Sequence, residues 1–357
     1  MKVVIIGGGI AGLTAAIAIK KVSHKVVVRE RFSINSKQGM AFMIHSDTLK
    51  NLQSLTSAPL KIVKYKINDY LMLADSGNKQ KRIILTGWYM VKRITLLKAL
   101  RGQLCDNEVC ENSEFSHLKH EGGKAVAAVF KDGSIEYGDV FIGADGISSM
   151  VRKFVCDAHF FKNQINEFVC VIKNEGGNLG DHSFRKFNSI NKGMSFGYIP
   201  LSSNEHIWFL QFNSKLYPNL IQRNRDSIAE FSSKLLAELP RHIRELIENS
   251  DFENGHLWIS KELKLLSHYY KDNVCLIGDA AHGSIPLTSS GVSNGISSAI
   301  DLANVLSSSE PLGVALKKYG EIRKQKNKKT IEFAKILKSE FINGDGDLDS
   351  YNVPLFK

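Results

Sequence analysis

Two hydrophobic periods divide this chain. Residues 3–6 form a continuous β-branched run, the pattern of a strand buried on both faces, and an Ala/Ile-rich helical pattern follows at once. Residues 25–28 are a second short apolar run. This strand, helix and strand then give way to a short extended run at 39–45 and a helical segment at 46–55. Residues 61–92 read as short strands and turns, and 93–100 as an amphipathic helix with Arg93 near its start. Residues 125–130 and 134–137 flank Lys131-Asp132-Gly133, a hairpin signal. A buried strand then ends in Gly143-Ala144-Asp145-Gly146. From about 155 to 270 the pattern is mixed and strand-rich, with strands at 194–201 and 206–212 around the turn Ser202-Ser203-Asn204-Glu205 and a helix at 225–249. A last buried strand at 274–277 runs into Gly278-Asp279-Ala280-Ala281-His282, and a loop through Pro286 reaches a helix that begins at Gly291. Ile296, Ile300, Ala303 and Leu306 share one face of that helix. Residues 317–338 read as a final helix with Tyr319, Ile322, Ile331, Ala334 and Ile336/Leu337 as its inner stripe, and the tail beyond Phe341 as extended.

The first turn carries chemistry. Gly7, Gly9 and Gly12 fall on G-x-G-x-x-G between a strand and a helix. The first glycine permits the tight turn, the second lets backbone approach a pyrophosphate, and the third lets helix and strand pack closely. The helix N-terminus supplies N–H groups and a dipole for an anion. Glu30, 23 residues beyond Gly7, closes the second strand where a carboxylate can accept from a ribose 2′-OH. That favours NAD or FAD over NADP and leaves the choice between those two open. The plainer alternative is a glycine-rich turn in some other βαβ unit.

At 357 residues the chain suits two domains, or one with a large insertion, and 43% hydrophobic with 23% charged residues is ordinary globular composition. No apolar run has the length of a membrane helix. The first residues are already the first strand, so no signal peptide is expected. Five cysteines (Cys105, Cys110, Cys156, Cys170, Cys275) show no C-x-x-C and no ligand spacing, which favours reduced thiols, a cytoplasmic setting and no metal. The net charge of +11 is concentrated: between Lys317 and Lys338 stand nine Lys/Arg and two Glu. This reads as a solvated helix face, with steering of anionic NAD(P)H or contact with acidic lipid as the other readings. Aromatic residues do not alternate with the basic ones, which speaks against nucleic acid.

Together these motifs resemble the FAD-dependent aromatic hydroxylases, the group A flavoprotein monooxygenases of the p-hydroxybenzoate hydroxylase fold, over nearly the whole chain. The family's G-x-G-x-x-G and terminal Glu-Arg stand here as Gly7 to Gly12 and Glu30-Arg31. Its helix-opening arginine is matched by Arg93, its ADG..S..R by Ala144 to Arg152, and its GDAAH…P…G by Gly278 to His282, Pro286 and Gly291. The resemblance implies an α/β fold: a Rossmann-like FAD-binding domain (1–60, 90–155 and 270–310), an inserted mixed β-sheet substrate domain (61–89 and 156–269), a C-terminal helical segment (311–342) and a tail (343–357). It implies FAD contacts by Gly7, Gly9, Ile10, Ala11, Gly12, Glu30, Arg31, Gly39, Met40, Arg93, Asp145, Asp279, Pro286, Gly291, Val292 and Ser293. Asp279 would accept from ribityl hydroxyls, and Pro286 would shape the wall where oxygen meets the flavin. The helix start at Gly291 would aim N–H groups at the flavin N1/O2 edge, where they stabilise negative charge. The chain departs from the family pattern with Gly291-Val292-Ser293-Asn294-Gly295 in place of Gly-x-Asn-x-Gly, with Ser298 where Asp is frequent, and with Ser289-Ser290 before Gly291.

The activity implied is hydroxylation or epoxidation of a small aromatic or electron-rich substrate. NAD(P)H, visiting transiently because no second dinucleotide motif is present, reduces FAD; O₂ then gives a C4a-hydroperoxide whose distal oxygen is transferred. No catalytic side chain is specified, and His45, Met43, Tyr198, Trp208 and Gln211 are candidate pocket residues, each with a core or surface role as the plainer reading. His282 reads as structural. A flavin reductase on the same fold competes, as does a non-catalytic FAD sensor; a halogenase is disfavoured because no W-x-W-x-I-P motif occurs. Oligomeric state is left open.

Overall fold

A computed structural model describes residues 1–36, 40–73, 79–173, 182–191, 193–221, 240–248, 250, 252, 255–283 and 285–343. Gly39, most of the helix expected at 225–249 and nearly all of the tail lie outside the described residues. The helices are α1 (Ile10–Lys21), α2 (Ser46–Ser54), α3 (Arg93–Arg101), α4 (Met150–Val155), α5 (Arg241–Glu248), α6 (Asp279–His282), α7 (Gly291–Leu306) and α8 (Leu312–Asn343).

Two large sheets organise the chain. The first has six strands in the order Tyr270–Lys271, Val274–Leu276, Val140–Gly143, Lys2–Ile6, Lys25–Arg29, Val109–Cys110. Lys2–Ile6 pairs in parallel with Lys25–Arg29 and Val140–Gly143, and the latter in parallel with Val274–Leu276. The register sets Ile6 beside Gly143 and Gly143 beside Leu276. Three motifs far apart in sequence therefore leave the sheet at one edge, the carboxyl ends of its parallel strands, where open α/β sheets bind ligands. The buried β-branched runs form its core together with α1 and α7. The hairpin expected around Lys131-Asp132-Gly133 is present, Val129 pairing with Ile135, and belongs to a separate three-stranded sheet.

The second sheet has eight strands: His256–Trp258, Ile165–Lys173, Glu205–Asn213, Met194–Pro200, Ser183–Asn191, Lys64–Leu73, Lys79–Lys92, Ala41–His45. Where short strands and turns were expected at 61–92, two long strands pair antiparallel. Register shifts between Ile67 and Asp69 and between Met72 and Leu73, with Gly87 at φ +77°, interrupt the alternation that would have marked them as long. Ala41–His45, grouped by sequence with the FAD-binding unit, is the edge strand of this sheet. One sheet face packs Phe168, Phe196, Tyr198, Trp208 and Phe212 against Ile243 and Ile247 of α5. The other carries Val169, Phe184, Ile199, Ile207 and Phe209.

α8 corrects the expected inner stripe. Tyr319 and Leu337 are buried, but Ile322, Ile331 and Ala334 are half-buried and Ile336 is 49% exposed. Arg323, Asn327 and Thr330 occupy the inward positions instead. Arg323, 0% exposed, pairs with Asp301 of α7 at 2.8 Å, and Asn327 donates to the Tyr269 hydroxyl at 2.8 Å. Hydrophobic periodicity cannot reveal a seam made of partnered polar groups. Most of the remaining basic residues of α8 face outward; Lys326 reaches back to Asp301, and half-buried Lys338 pairs with Glu262. Among the described residues no helix is long and apolar enough to cross a membrane.

Candidate functional site

At the shared sheet edge the three glycines divide their roles. Gly7 sits at φ +112°, and a Cβ there would lie 2.3 Å from the Ala144 carbonyl oxygen. A Cβ on Gly12 would come within 1.9 Å of the Gly7 carbonyl oxygen, so the helix is seated directly on the turn. Nothing lies within 4 Å of a Cβ built on Gly9, which faces open space. That space belongs to a groove lined by Gly8, Gly9, Glu30, Phe32, Arg93 and Arg101 among others. Glu30 Oε2 accepts from Gly8 N–H at 2.5 Å and Oε1 from Phe32 N–H at 3.0 Å, which fixes the carboxylate at the groove wall with lone pairs to spare. Arg31 is exposed and stacks over Phe32 (4.6 Å) rather than lining the groove. Ile10 is buried, and Ala11 lies under Gly278 and Gly295. Phe32, Ser33, Val109 and Glu111 complete the groove without a motif of their own; they enter it because their strands neighbour Lys2–Ile6 or its partner.

Deeper along the edge, Gly278 at φ +58° turns the chain so that Asp279 faces the start of α7. Its N–H donates to Ser298 Oγ at 3.1 Å, so Ser298 ties the strand end to α7. Asp279 is exposed, its carboxylate stands beside Gly291 at the start of α7, and it accepts no hydrogen bond among the described residues. Desolvation raises its pKa, opposed by the cationic Arg93 at the start of α3. Burial in turn lowers Arg93, opposed by Glu30 and Asp279. Arg93 N–H donates to the Met40 carbonyl at 3.0 Å, anchoring that residue beside α3. The N–H groups of Gly291, Val292 and Ser293 find no backbone acceptor among the described residues, as at any uncapped helix start. Pro286 opens the turn that leads into them.

These observations fit a flavin adenine dinucleotide. Gly9 leaves room for a pyrophosphate, Glu30 for a ribose hydroxyl, the unpartnered Asp279 carboxylate for polyol hydroxyls, and the α7 N–H groups for an electron-rich ring edge.

The middle motif is built differently. Asp145 accepts from Ser149 Oγ (2.5 Å), Met150 N–H (2.7 Å) and Val151 N–H (3.2 Å), so its carboxylate is engaged in starting α4. Burial raises its pKa and these bonds oppose the rise. Arg152 donates to the carbonyls of Ala280 (2.9 Å) and Ile147 (2.8 Å), bolting this turn to the Asp279 turn. His282 is buried with neither ring nitrogen partnered among the described residues; burial and the Arg323 charge hold its pKa well below the usual imidazole range. It stays neutral.

The pocket candidates separate. His45 accepts from Asp47 N–H at 3.3 Å as the cap of α2 and contacts the Thr86 carbonyl oxygen at 3.1 Å, and Met43 is buried among Met90 and Trp88. Tyr198 and Trp208 pair across strands on the α5 side of the large sheet, where Trp208 Nε1 donates to Ser250. Gln211 points to the opposite face, since its position differs from Trp208 by an odd number. The expected grouping of these three side chains is therefore corrected by the pleat. Gln211 Nε2 donates to Glu167 Oε2 at 2.7 Å, and Gln211 Oε1 accepts from Ser195 Oγ at 3.1 Å. Glu167, Ser195 and Lys186 were missed; a charged residue on the inward parity of an apolar strand was the available signal.

Burial lifts Glu167 from 4.5 to about 7, opposed by Gln211 and Lys186. A carboxyl that binds its proton more tightly folded than unfolded loses stability as pH rises between those values. Glu167→Gln is expected to flatten that decline. Urea unfolding at pH 5 and 7 checks it; equal slopes in both proteins would contradict the assignment.

Comparison with known proteins places the chain. The family described as FAD binding domain matches residues 1–334. Monooxygenase 2 of Arabidopsis thaliana is 25% identical over 323 residues, covering 85% of this chain and 76% of that protein. Hispidin-3-hydroxylase of Neonothopanus nambi is 22% identical, covering 91% and 86%. The crystal structure of Klebsiella pneumoniae HpxO with FAD and uric acid superposes with a TM-score of 0.86 at 19% identity, covering 97% of this chain and 90% of that one.

Proposed function

Since the chain belongs to the FAD-binding domain family and is an FAD-dependent monooxygenase of the p-hydroxybenzoate hydroxylase fold, we propose that it hydroxylates a small aromatic or otherwise electron-rich molecule, with NAD(P)H as the electron source. The observation that carries the site assignment is Asp279: an exposed carboxylate that accepts no hydrogen bond among the described residues, beside the N–H groups that open α7. An exposed carboxylate beside a helix start is free to accept from hydroxyl donors that reach it.

When bound, FAD supplies electron transfer, oxygen activation and delivery of one oxygen atom. The chain's own residues do the rest. Gly9 and the start of α1 receive the pyrophosphate, Glu30 the adenosine ribose and Asp279 the ribityl chain. Gly291, Val292 and Ser293 would offer N–H dipoles that favour negative charge on the ring, and Met40 and Pro286 would contact the cofactor. Ile165 of the large sheet packs with Ile285 and Leu287 on either side of Pro286, so apolar contacts tie that turn to the sheet and exclude water between them. The FAD-binding residues 1–60, 90–155 and 270–310, the substrate-side residues 61–89 and 156–269 and the C-terminal helical segment then form the functional units. The described cysteines are all unpaired, which supports a reducing, cytoplasmic setting.

The purified protein is expected to be yellow, with oxidised-flavin bands near roughly 375 and 450 nm. These should bleach with NADH or NADPH without oxygen and return in air. A colourless protein that takes up no added FAD would reject the proposal.

A further inference from the structure

The basic charge gathered on α8 has no part in the site described above, and it is arranged in a row. Tyr319, Arg323, Asn327, Thr330 and Leu337 seat the helix on the protein. At about 100° per residue, Lys317, Lys324, Lys328 and Lys335 fall within roughly 20° of one line along the opposite side and span about 27 Å. All four are exposed, as are Lys318 and Lys329 beside them.

Internal partners account for only part of this charge. Lys318 pairs with Glu310, Lys326 with Asp301 and Lys338 with Glu262. Lys317, Lys324, Lys328, Lys329 and Lys335 form no ion pair among the described residues, although Glu321 and Glu332 lie within about one turn of them. Lys324 and Lys328, four residues apart, repel each other along the row. An external anionic partner would offset that cost.

The row has apolar company on both flanks. Ile336, 49% exposed, lies to one side. To the other, Lys338 leads through Glu262 to Phe161, which stands opposite Glu262 in the strand Phe160–Lys162. Phe161 is 44% exposed, and the exposed Lys264 holds its ammonium 4.7 Å from the centre of that ring. Lysines on long stems, set between an aliphatic and an aromatic side chain, suit a lipid headgroup layer. The ammonium groups reach phosphates there while the apolar groups enter the interface. A planar anionic surface also asks only for a straight row, with no matching register. Duplex nucleic acid would engage the lysines and leave both apolar groups without a role.

We propose that this face of α8, together with Phe161 and Ile336, docks the protein on a membrane surface rich in anionic phospholipid. The inference does not depend on the functional reading above. Docking is peripheral, since no described helix is long and apolar enough to cross a membrane. It is held by attraction between exposed charges, so salt weakens it.

The test is flotation of the full-length protein with vesicles of phosphatidylglycerol and phosphatidylcholine in equal parts, against vesicles of phosphatidylcholine alone. The wild type should float with the first and stay behind with the second, and about 0.5 M salt should release it. The K317Q/K324Q/K328Q/K335Q variant should bind roughly a hundredfold more weakly or worse, since each lysine near an anionic bilayer contributes about fivefold. Arginine at the same four positions should preserve binding, which keeps the test open if the glutamine variant fails to fold. F161S/I336S should weaken binding about tenfold while leaving its salt dependence unchanged. Glutamine at four exposed lysines elsewhere, K25Q/K119Q/K124Q/K131Q, removes the same net charge and should change binding by less than about threefold. Equal losses in the two glutamine variants would assign the effect to net charge and overturn the inference. Failure of the wild type to float would overturn it too, as would binding of duplex DNA through these lysines without binding of vesicles.

Discussion

Replacing Asp279 with alanine is expected to strip FAD from the protein while leaving the apoprotein folded. The exposed carboxylate has no donor among the described residues, so its hydrogen-bonding capacity is open to the ligand. Hydrogen bonds to a charged acceptor contribute about 1.5–3 kcal/mol each, so losing one or two should weaken FAD binding by roughly a hundredfold. The fold has little to lose, since no hydrogen bond among the described residues depends on this side chain. Asp279→Asn keeps one acceptor oxygen and should fall between the two. Fluorescence titration of apoprotein with FAD measures the effect. An unchanged dissociation constant in Asp279→Ala would remove Asp279 from the site.

The second large effect separates folding from binding within one motif. Gly12→Ala should destabilise the whole protein by roughly 3 kcal/mol, because its methyl would land 1.9 Å from the Gly7 carbonyl oxygen, a rigid backbone atom. Gly9→Ala should leave apoprotein stability within about 0.5 kcal/mol, since the added methyl meets nothing within 4 Å and Gly9 has an ordinary negative φ. Yet Gly9→Ala should weaken FAD binding strongly, because that open space is where phosphate oxygens approach the backbone. Thermal unfolding of both apoproteins, followed by FAD titration, tests the contrast. If Gly9→Ala unfolded the protein and Gly12→Ala did not, the roles assigned to the two glycines would be reversed.

Local signals survived best where chemistry depends on backbone. Gly7, Gly9 and Gly12 could be assigned turn, approach and packing roles from spacing, because each role is a consequence of a missing Cβ. Side chains were harder to place. Tyr198, Trp208 and Gln211 looked like neighbours on one hairpin, but the pleat sends the first two toward α5 and the third toward Glu167. Alternation could have separated them, since strand parity is a local property. The buried polar seam of α8 could not have been read that way. Arg323 and Asn327 resemble surface residues until Asp301 and Tyr269, from other elements, satisfy them.

The sequence by itself determined the cofactor class, the order of the three motifs, the family and the main helices, because turn glycines, β-branched runs and helix starts are written in consecutive residues. Only the tertiary structure decided which side chains meet. Parallel pairing of strands more than a hundred residues apart brings Gly7, Ala144 and Gly278 to one edge. Asp145 accepts three hydrogen bonds at the start of α4 while Asp279 accepts none among the described residues, and Glu167, Lys186, Ser195 and Gln211 come together across four strands. Each of those outcomes depends on register and on who stands opposite. Long-range pairing sets both.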